Sequence, residues 1–70
     1  MMNIIPQALE AAKESGETVT IWMINGYQMH GVITAYDHEA VILEVEDGRK
    51  LIMLRAISTV FSPGAEAPEF

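Results

Sequence analysis

Few residues of this chain could perform chemistry, and their spacing does not suit it. His30 and His38 lie eight residues apart, which matches neither a zinc motif nor a haem motif. No nucleophile stands beside a base, and the glycines are isolated rather than grouped in a phosphate-binding loop. The chain has no cysteine, which excludes disulfides and thiolate metal sites. We therefore expect no enzymatic activity, no metal, no cofactor and no small-molecule substrate.

Size and charge limit the possible partners. The 70 residues suffice for one small domain, and 50% of them are hydrophobic. A small apolar chain without disulfides commonly gains burial against another copy, so we expect a homo-oligomer.

The net charge of −6 disfavours attraction to phosphate, so any nucleic acid would have to be bound through its bases. No segment has the length of a membrane span, and the N-terminus lacks a basic start, which predicts a cytoplasmic protein without a membrane partner.

The elements that must position any site are organised around Val19–Asp37. Two alternating apolar runs meet at Asn25–Gly26, which predicts a hairpin with a type I′ turn, where both central residues have φ > 0. Alternation divides the first run into two faces, with Val19, Ile21 and Met23 on one and Thr20, Trp22 and Ile24 on the other. Gly31 interrupts the second run and predicts a bend or a close backbone approach. One bent strand would then belong to two layers of a small barrel.

A helix precedes this hairpin and three strands follow it. Asn3–Ser15 is predicted to be helical, with Asn3 as its N-cap and Gly16 just beyond its end, and its apolar stripe is expected to cover an open end of the barrel. The later strands are predicted at Ala40–Val45, which should be buried on both faces, at Arg49–Leu54 and at Ile57–Phe61, with a turn at Asp47–Gly48.

The predicted fold is therefore α+β, with an N-terminal helix on a small, strongly bent, five-stranded antiparallel barrel. The domain should span residues 1–63, with the helix at about 3–15 and the strands within about 18–61. Residues 64–70 are acidic and rich in Ala and Pro, which predicts a short disordered tail.

Three stretches together carry a resemblance to a known family. They are the hairpin INGYQMHGVITAYD, the strand pair that follows it, and the run AIST at Ala56–Thr59, which an aromatic residue and Ser-Pro follow. Over about Asn3–Pro63 the chain resembles the bacterial Sm-like RNA chaperone family Hfq. The resemblance implies the barrel fold and a hexameric ring, in which strand four of one copy pairs with strand five of the next. It also implies single-stranded RNA partners, small regulatory RNA and mRNA, in post-transcriptional regulation.

For the ring face opposite the helices, the resemblance implies a site for purine-rich RNA. The matched residues are Trp22, Asn25, Gly26, Tyr27, Met29, His30, Lys50 and Thr59. Aromatic side chains stack on bases with about 1–3 kcal/mol per base and need little positive charge. Lys50 stands where the family has a glutamine that reads adenine, and its ammonium suits guanine acceptors, so we predict weaker preference for adenine. The alternatives are that Trp22 and Tyr27 belong to the core and that His30 and Lys50 are simply solvated.

The helix-side face departs from the family. Glu39 replaces an aromatic residue of the uridine pocket, and Met53-Leu54-Arg55 replaces a Tyr/Phe-Lys-His run. His38 and Arg55 remain candidates to contact a base and a phosphate, so the predicted helix-side site is His38, Glu39 and Arg55, with weakened binding of uridine. An alternative function is a diverged ring scaffold that acts through protein contacts and binds little RNA, which the net charge favours.

Overall fold

The computed structural model describes residues 4–62. Its elements are a helix α1 (Ile4–Ser15) and the strands β1 (Val19–Met23), β2 (Gln28–Tyr36), β3 (Ala40–Val45), β4 (Gly48–Met53) and β5 (Ile57–Phe61), with a 3-10 turn at Leu54–Ala56. The predicted α+β class is confirmed, and β3 and β5 have the predicted bounds. The predicted N-cap at Asn3 and the predicted tail at 64–70 lie outside the described residues.

The strands form one antiparallel sheet in the order β4-β3-β2-β1-β5. β2 serves two partners, because Gln28–Gly31 pair with β1 and Val32–Tyr36 pair with β3. At the junction, a Cβ on Gly31 would collide with the carbonyl oxygen of Glu44 and would lie 2.8 Å from Leu43 Cγ. Only glycine permits this approach of two backbones, so the predicted close contact at Gly31 is confirmed.

The sheet is strongly bent but not closed. β4 and β5 stand at opposite ends of the strand order, and within residues 4–62 no hydrogen-bonded pairing joins them. Each therefore presents a row of backbone groups on its outer edge, which in a small protein is a surface for pairing with another chain.

One side of the sheet carries the core. The buried apolar residues are Leu9, Ala12, Val19, Ile21, Ile33, Val41, Leu43 and Ile52. Val19 and Ile21 are fully buried, so the predicted face that they share with Met23 is the one turned to the core. The prediction that β3 is buried on both faces is wrong, since Ile42 is half-buried and Glu44 is exposed on the side away from the core. No second layer covers that side of β3 in the described part of the chain.

Helix α1 lies on this core through Leu9 and Ala12. At the helix end, Gly16 has φ of +66° and its N–H donates to the carbonyl of Ala12, so the predicted helix stop is confirmed. The hydroxyl of Tyr36, at the end of β2, donates to Glu10 Oε1 at 2.7 Å and ties the helix to the sheet.

The two hairpin turns differ in detail from the prediction. Gly26 N–H donates to the carbonyl of Met23, and Met23 N–H donates to the carbonyl of Tyr27. Gly26 has φ of +90°, whereas no other residue type among residues 4–62 has positive φ. The connection is thus a three-residue loop that ends in glycine, and the predicted type I′ turn is wrong. In the second hairpin Val45 pairs with Gly48, so the turn is centred on Glu46 and Asp47, one residue earlier than predicted.

Candidate nucleic-acid interface

The side of β1 that faces away from the core carries two rows of side chains. Residues directly opposite each other in an antiparallel pair project from the same face. Trp22 has Gln28 and Thr59 as its partners on β2 and β5, and Thr20 has His30 and Phe61. We call the resulting set the outer face, and its members are Thr20, Trp22, Gln28, His30, Thr59 and Phe61.

Trp22 and Tyr27 both lie outside the core. Trp22 is half-buried on the outer face, and Tyr27 is 57% exposed directly after the β1–β2 turn. The alternative that assigned these two aromatic residues to the core is therefore wrong. The physical reason is that alternation turns Ile21 inward and Trp22 outward, while the turn carries Tyr27 beyond the sheet.

The β1–β2 turn holds Tyr27 in place through the backbone. Tyr27 N–H donates to Asn25 Oδ1 at 3.0 Å, and its carbonyl accepts from Met23 N–H at 2.7 Å. Asn25 acts as an Asx-turn residue, which explains its place there without a positive φ. Three of the predicted site residues, Asn25, Gly26 and Tyr27, thus stand together at the tip of the hairpin, next to the end of β1 that bears Trp22.

His30 is held in the outer face by a side-chain hydrogen bond. Its Nδ1 lies 3.0 Å from Thr20 Oγ1 on the neighbouring strand. This contact holds the imidazole beside Thr20 on the outer face. Thr59 is exposed and directly opposite Trp22. The structure therefore brings Trp22, His30 and Thr59 onto one surface, as the predicted site requires.

Met29 is the predicted site residue that the structure sets apart. Its partner on β1 is the fully buried Ile21, and Met29 itself packs half-buried against the core. It therefore points to the opposite side of the sheet from Trp22. Strand alternation already contains this signal, because Met29 lies between the two outward residues Gln28 and His30. The outer-face residues that the predicted site lacks are Thr20, Gln28 and Phe61, and Gln28 is the one directly opposite Trp22 on β2.

Lys50 is distant from Trp22 in the strand order of a single chain. It is exposed on β4, but its partner on β3 is the fully buried Leu43, so it projects from the core side of the sheet, as Met29 does. In the strand order, β3 and β2 separate β4 from β1. A site that combined Lys50 with Trp22 would therefore need a second copy of the chain.

The helix-side residues are exposed, and several of their polar groups bind each other. His38 Nε2 lies 3.5 Å from Glu39 Oε1, and the carbonyl of Glu39 accepts from Leu54 N–H at 2.8 Å. This bond connects the β2–β3 loop to the 3-10 turn that carries the exposed Arg55. Asp37 Oδ1 accepts the N–H groups of Glu39 and Ala40 at 2.7 and 2.9 Å. These backbone hydrogen bonds hold the pKa of the Asp37 carboxyl below its usual value.

An open pocket of about 270 Å³ lies between the start of α1 and the end of β2. It is lined by Ile5, Pro6, Leu9, Tyr36, Asp37, His38 and Leu54. Most of this lining is aliphatic, and Asp37 already uses its carboxylate to hold the loop. The pocket consequently offers few hydrogen bonds to a polar base edge such as that of uracil.

Two of the four cations lie beside carboxylates. Lys13 Nζ is 3.9 Å from Glu10 and 5.8 Å from the centre of the Tyr36 ring. Arg49 Nε is 3.5 Å from Glu44 Oε2. The outer face itself carries no charged side chain, so it would contact bases rather than phosphates.

Residues 4–62 contain neither a cluster suited to a metal ion nor a helix suited to a membrane span. No group of three or more histidine and acidic side chains in this part of the chain is placed to hold a metal ion. No helix within the same residues is long and apolar enough to cross a membrane.

Comparison with known proteins identifies the family. The family model described as Hfq protein matches residues 6–67. The chain is 42% identical over 62 residues to the RNA-binding protein Hfq of Geobacillus sp. (strain WCH70), covering 89% of this chain and 82% of the relative. It is 39% identical over 62 residues to that of Anoxybacillus flavithermus (strain DSM 21510 / WK1), with the same coverage of each chain.

A solved structure shares the fold as well. The crystal structure of Hfq, there described as a pleiotropic translational regulator, superposes with a TM-score of 0.82 at 42% identity, covering 86% of this chain and 100% of that one. Sequence and structure therefore agree that the chain belongs to the Hfq family and has its Sm-like fold.

Proposed function

We propose that this chain is a ring-forming RNA chaperone that binds purine-rich single-stranded RNA on its outer face and acts in post-transcriptional regulation in the cytoplasm. The observation that carries the proposal is the uncharged outer face built around Trp22, in a member of a family whose relatives are named RNA-binding protein Hfq. Small regulatory RNA and mRNA are the proposed partners, and the chain binds them without chemistry.

Stacking provides the affinity in this mechanism. Trp22 and Tyr27 offer aromatic surfaces to two bases, each worth about 1–3 kcal/mol. Edge contacts then select the base, and the groups available for them are the Gln28 amide, the His30 ring and the Thr59 hydroxyl. An amide both donates and accepts, as the edge of adenine requires.

Assembly follows from the two free edges of the sheet. Pairing β4 of one copy with β5 of the next satisfies both edges, and a repeated head-to-tail contact closes a ring, for which we propose six members. Leu51 on β4 is 67% exposed in the single chain, which gives such an interface an apolar component. The neighbour's β4, which carries Lys50, would then lie beside the strand that carries Thr59, so that the proposed RNA site spans two copies.

A second candidate function is a ring scaffold that acts through protein contacts. The observation in its favour is the charge balance, because the net charge is −6 and two of the four cations, Lys13 and Arg49, lie beside carboxylates. RNA binding that depended on phosphate contacts would be weak on such a surface.

A titration of the purified assembly with A-rich, AG-repeat and U-rich oligonucleotides separates the two candidates. We expect purine strands to bind more tightly than U-rich ones and Lys50→Gln to increase the preference for adenine over guanine. Lys50→Met is the matched control, since it removes the charge without supplying an amide. Failure of every oligonucleotide to bind would favour the scaffold, and tight U-rich binding that Trp22→Ala leaves unchanged would contradict the assignment to the outer face.

A further inference from the structure

Phe61 is an exposed aromatic residue of the outer face that the matched site does not include. It is 53% exposed at the end of β5, and its partner on β1 is Thr20. We infer that Phe61 is a second stacking platform of the outer face, which holds the base next to the one stacked on Trp22. This inference rests on the proposed function.

The strand register sets the spacing between the rings of Trp22 and Phe61. Thr59 and Phe61 are two residues apart on β5, so they project from the same face. Thr59 stands opposite Trp22, which makes Phe61 the diagonal neighbour of Trp22, at about 7–8 Å between positions. Aromatic residues on neighbouring strands of a sheet are known to stack two or three bases of one single strand side by side.

The row that contains Phe61 also supplies a group for the base edge. His30 lies in the same row on the other side of Thr20, and its Nδ1 is engaged by Thr20 Oγ1 at 3.0 Å. The imidazole is therefore held beside Thr20, at the other end of the row from Phe61. Thr20 has a small side chain and lies between the rings of His30 and Phe61, which leaves room for the base.

The lack of charged side chains on the outer face favours a ligand that is flat and uncharged. Neither row of the outer face contains a carboxylate or an ammonium group, so a base is desolvated there without separating an ion pair. The other occupant to consider is a second copy of the chain, since β5 is an edge strand. Edge pairing uses backbone groups in the plane of the sheet, whereas the side chain of Phe61 stands perpendicular to that plane, on the side of Trp22.

The experiment compares Phe61→Ala with Phe61→Trp, which retains an aromatic ring, and with Ile4→Ala, which removes an exposed apolar side chain from the helix. Oligoadenylates of increasing length are titrated, with sedimentation to follow the assembly. In Phe61→Ala, as in the native protein, Trp22 is the only tryptophan, so quenching of fluorescence reports stacking at Trp22 independently. We expect Phe61→Ala to keep its assembly and its quenching but to bind about tenfold more weakly, with Phe61→Trp and Ile4→Ala near the native affinity.

The outcomes separate this inference from the function on which it rests. If the native protein binds oligoadenylate with quenching and Phe61→Ala binds as tightly, the second platform is wrong and the proposed function stands. Loss of assembly in Phe61→Ala, restored by Phe61→Trp, would assign Phe61 to the contact between copies and overturn the inference. Absence of quenching in the native protein would contradict the proposed function itself, and the second platform with it.

Discussion

The outer face and the helix-side surface differ in how their polar groups are engaged. On the outer face, Gln28 and Thr59 are exposed beside Trp22. The hydroxyl of Thr59 lies 3.3 Å from that of Ser58, and His30 Nδ1 lies 3.0 Å from Thr20 Oγ1. On the helix side, the carboxylate of Asp37 holds its own loop and His38 lies beside Glu39.

This difference shows that exposure alone does not make a binding surface. A polar group that already has a partner must lose that partner before it can bind a ligand, which reduces the net gain. The helix-side pocket adds an aliphatic lining that satisfies no base edge. The surface that places the exposed Gln28 amide beside an aromatic ring, without an ion pair, is therefore the better candidate for RNA, although neither surface is basic.

Gly31→Ala should have the largest effect, because it disrupts the strand that carries parts of both surfaces. β2 joins the two halves of the sheet at this residue, and the added methyl collides with the backbone of Glu44. We expect the free energy of unfolding to fall by about 3 kcal/mol or more, measured by urea denaturation. Gly16→Ala is the control, since open space surrounds it and only its positive φ is strained. Equal losses for the two variants would contradict the close approach.

Trp22→Ala tests the comparison directly through binding. We expect the affinity for A-rich RNA to fall by about 10- to 100-fold, the loss of one stacked base, in a fluorescence anisotropy titration. The matched truncation on the other surface is Leu54→Ala, which shortens a residue of the helix-side pocket and should leave that affinity within about twofold. A larger loss from Leu54→Ala than from Trp22→Ala would reverse the assignment of the two surfaces.

The combined substitution Glu39→Phe and Leu54→Lys should make the helix-side surface more like the family. It replaces a carboxylate with a stacking ring and gives the pocket a cation, so we expect U-rich RNA to bind about tenfold more tightly. Each single substitution is a control, and A-rich binding should change little in all three variants. Unchanged U-rich binding in the double variant would show that other residues limit this surface.

Asp37→Ala should have the smallest effect and should be sensitive to pH. Hydrogen bonds from two backbone N–H groups lower the pKa of Asp37, so its carboxylate stabilises the fold above the usual value of 3.8. That contribution is lost as the pH falls through the lowered pKa. We expect Asp37→Ala to lower the thermal midpoint at pH 7 and the difference from the native protein to shrink in acid. Asp47→Ala, at an exposed turn, is the control, and a difference that persists in acid would contradict this role.

Much of the fold could be predicted because its signals are local. Alternation of apolar residues separates Ile21 from Trp22 on β1 and places strands β3 and β5 at their observed bounds. Gly31 within an apolar run correctly indicated a close backbone approach. The family motif named the residues around the hairpin turn, and the structure brings Asn25, Gly26 and Tyr27 together at its tip.

Other features could not be predicted because they depend on pairing. The turn at Asn25–Gly26 has the right residues for a type I′ hairpin, but the register of β1 against β2 places Met23 opposite Tyr27 and requires a three-residue loop. The motif assigned Met29 to the RNA site. Its partner on β1 is the buried Ile21, however, so Met29 faces the core.

By itself, the sequence determined which residues are apolar, where the chain turns and which side of each strand a residue occupies, since side-chain direction along a strand has a period of two. Only the tertiary structure decided which strands are neighbours. Trp22 meets Thr59, and Thr20 meets Phe61, because β5 returns to the free edge of β1 after β3 and β4 have extended the sheet on its other side. Contacts between residues so far apart in the chain arise from packing the whole sheet over one core, which no local pattern encodes.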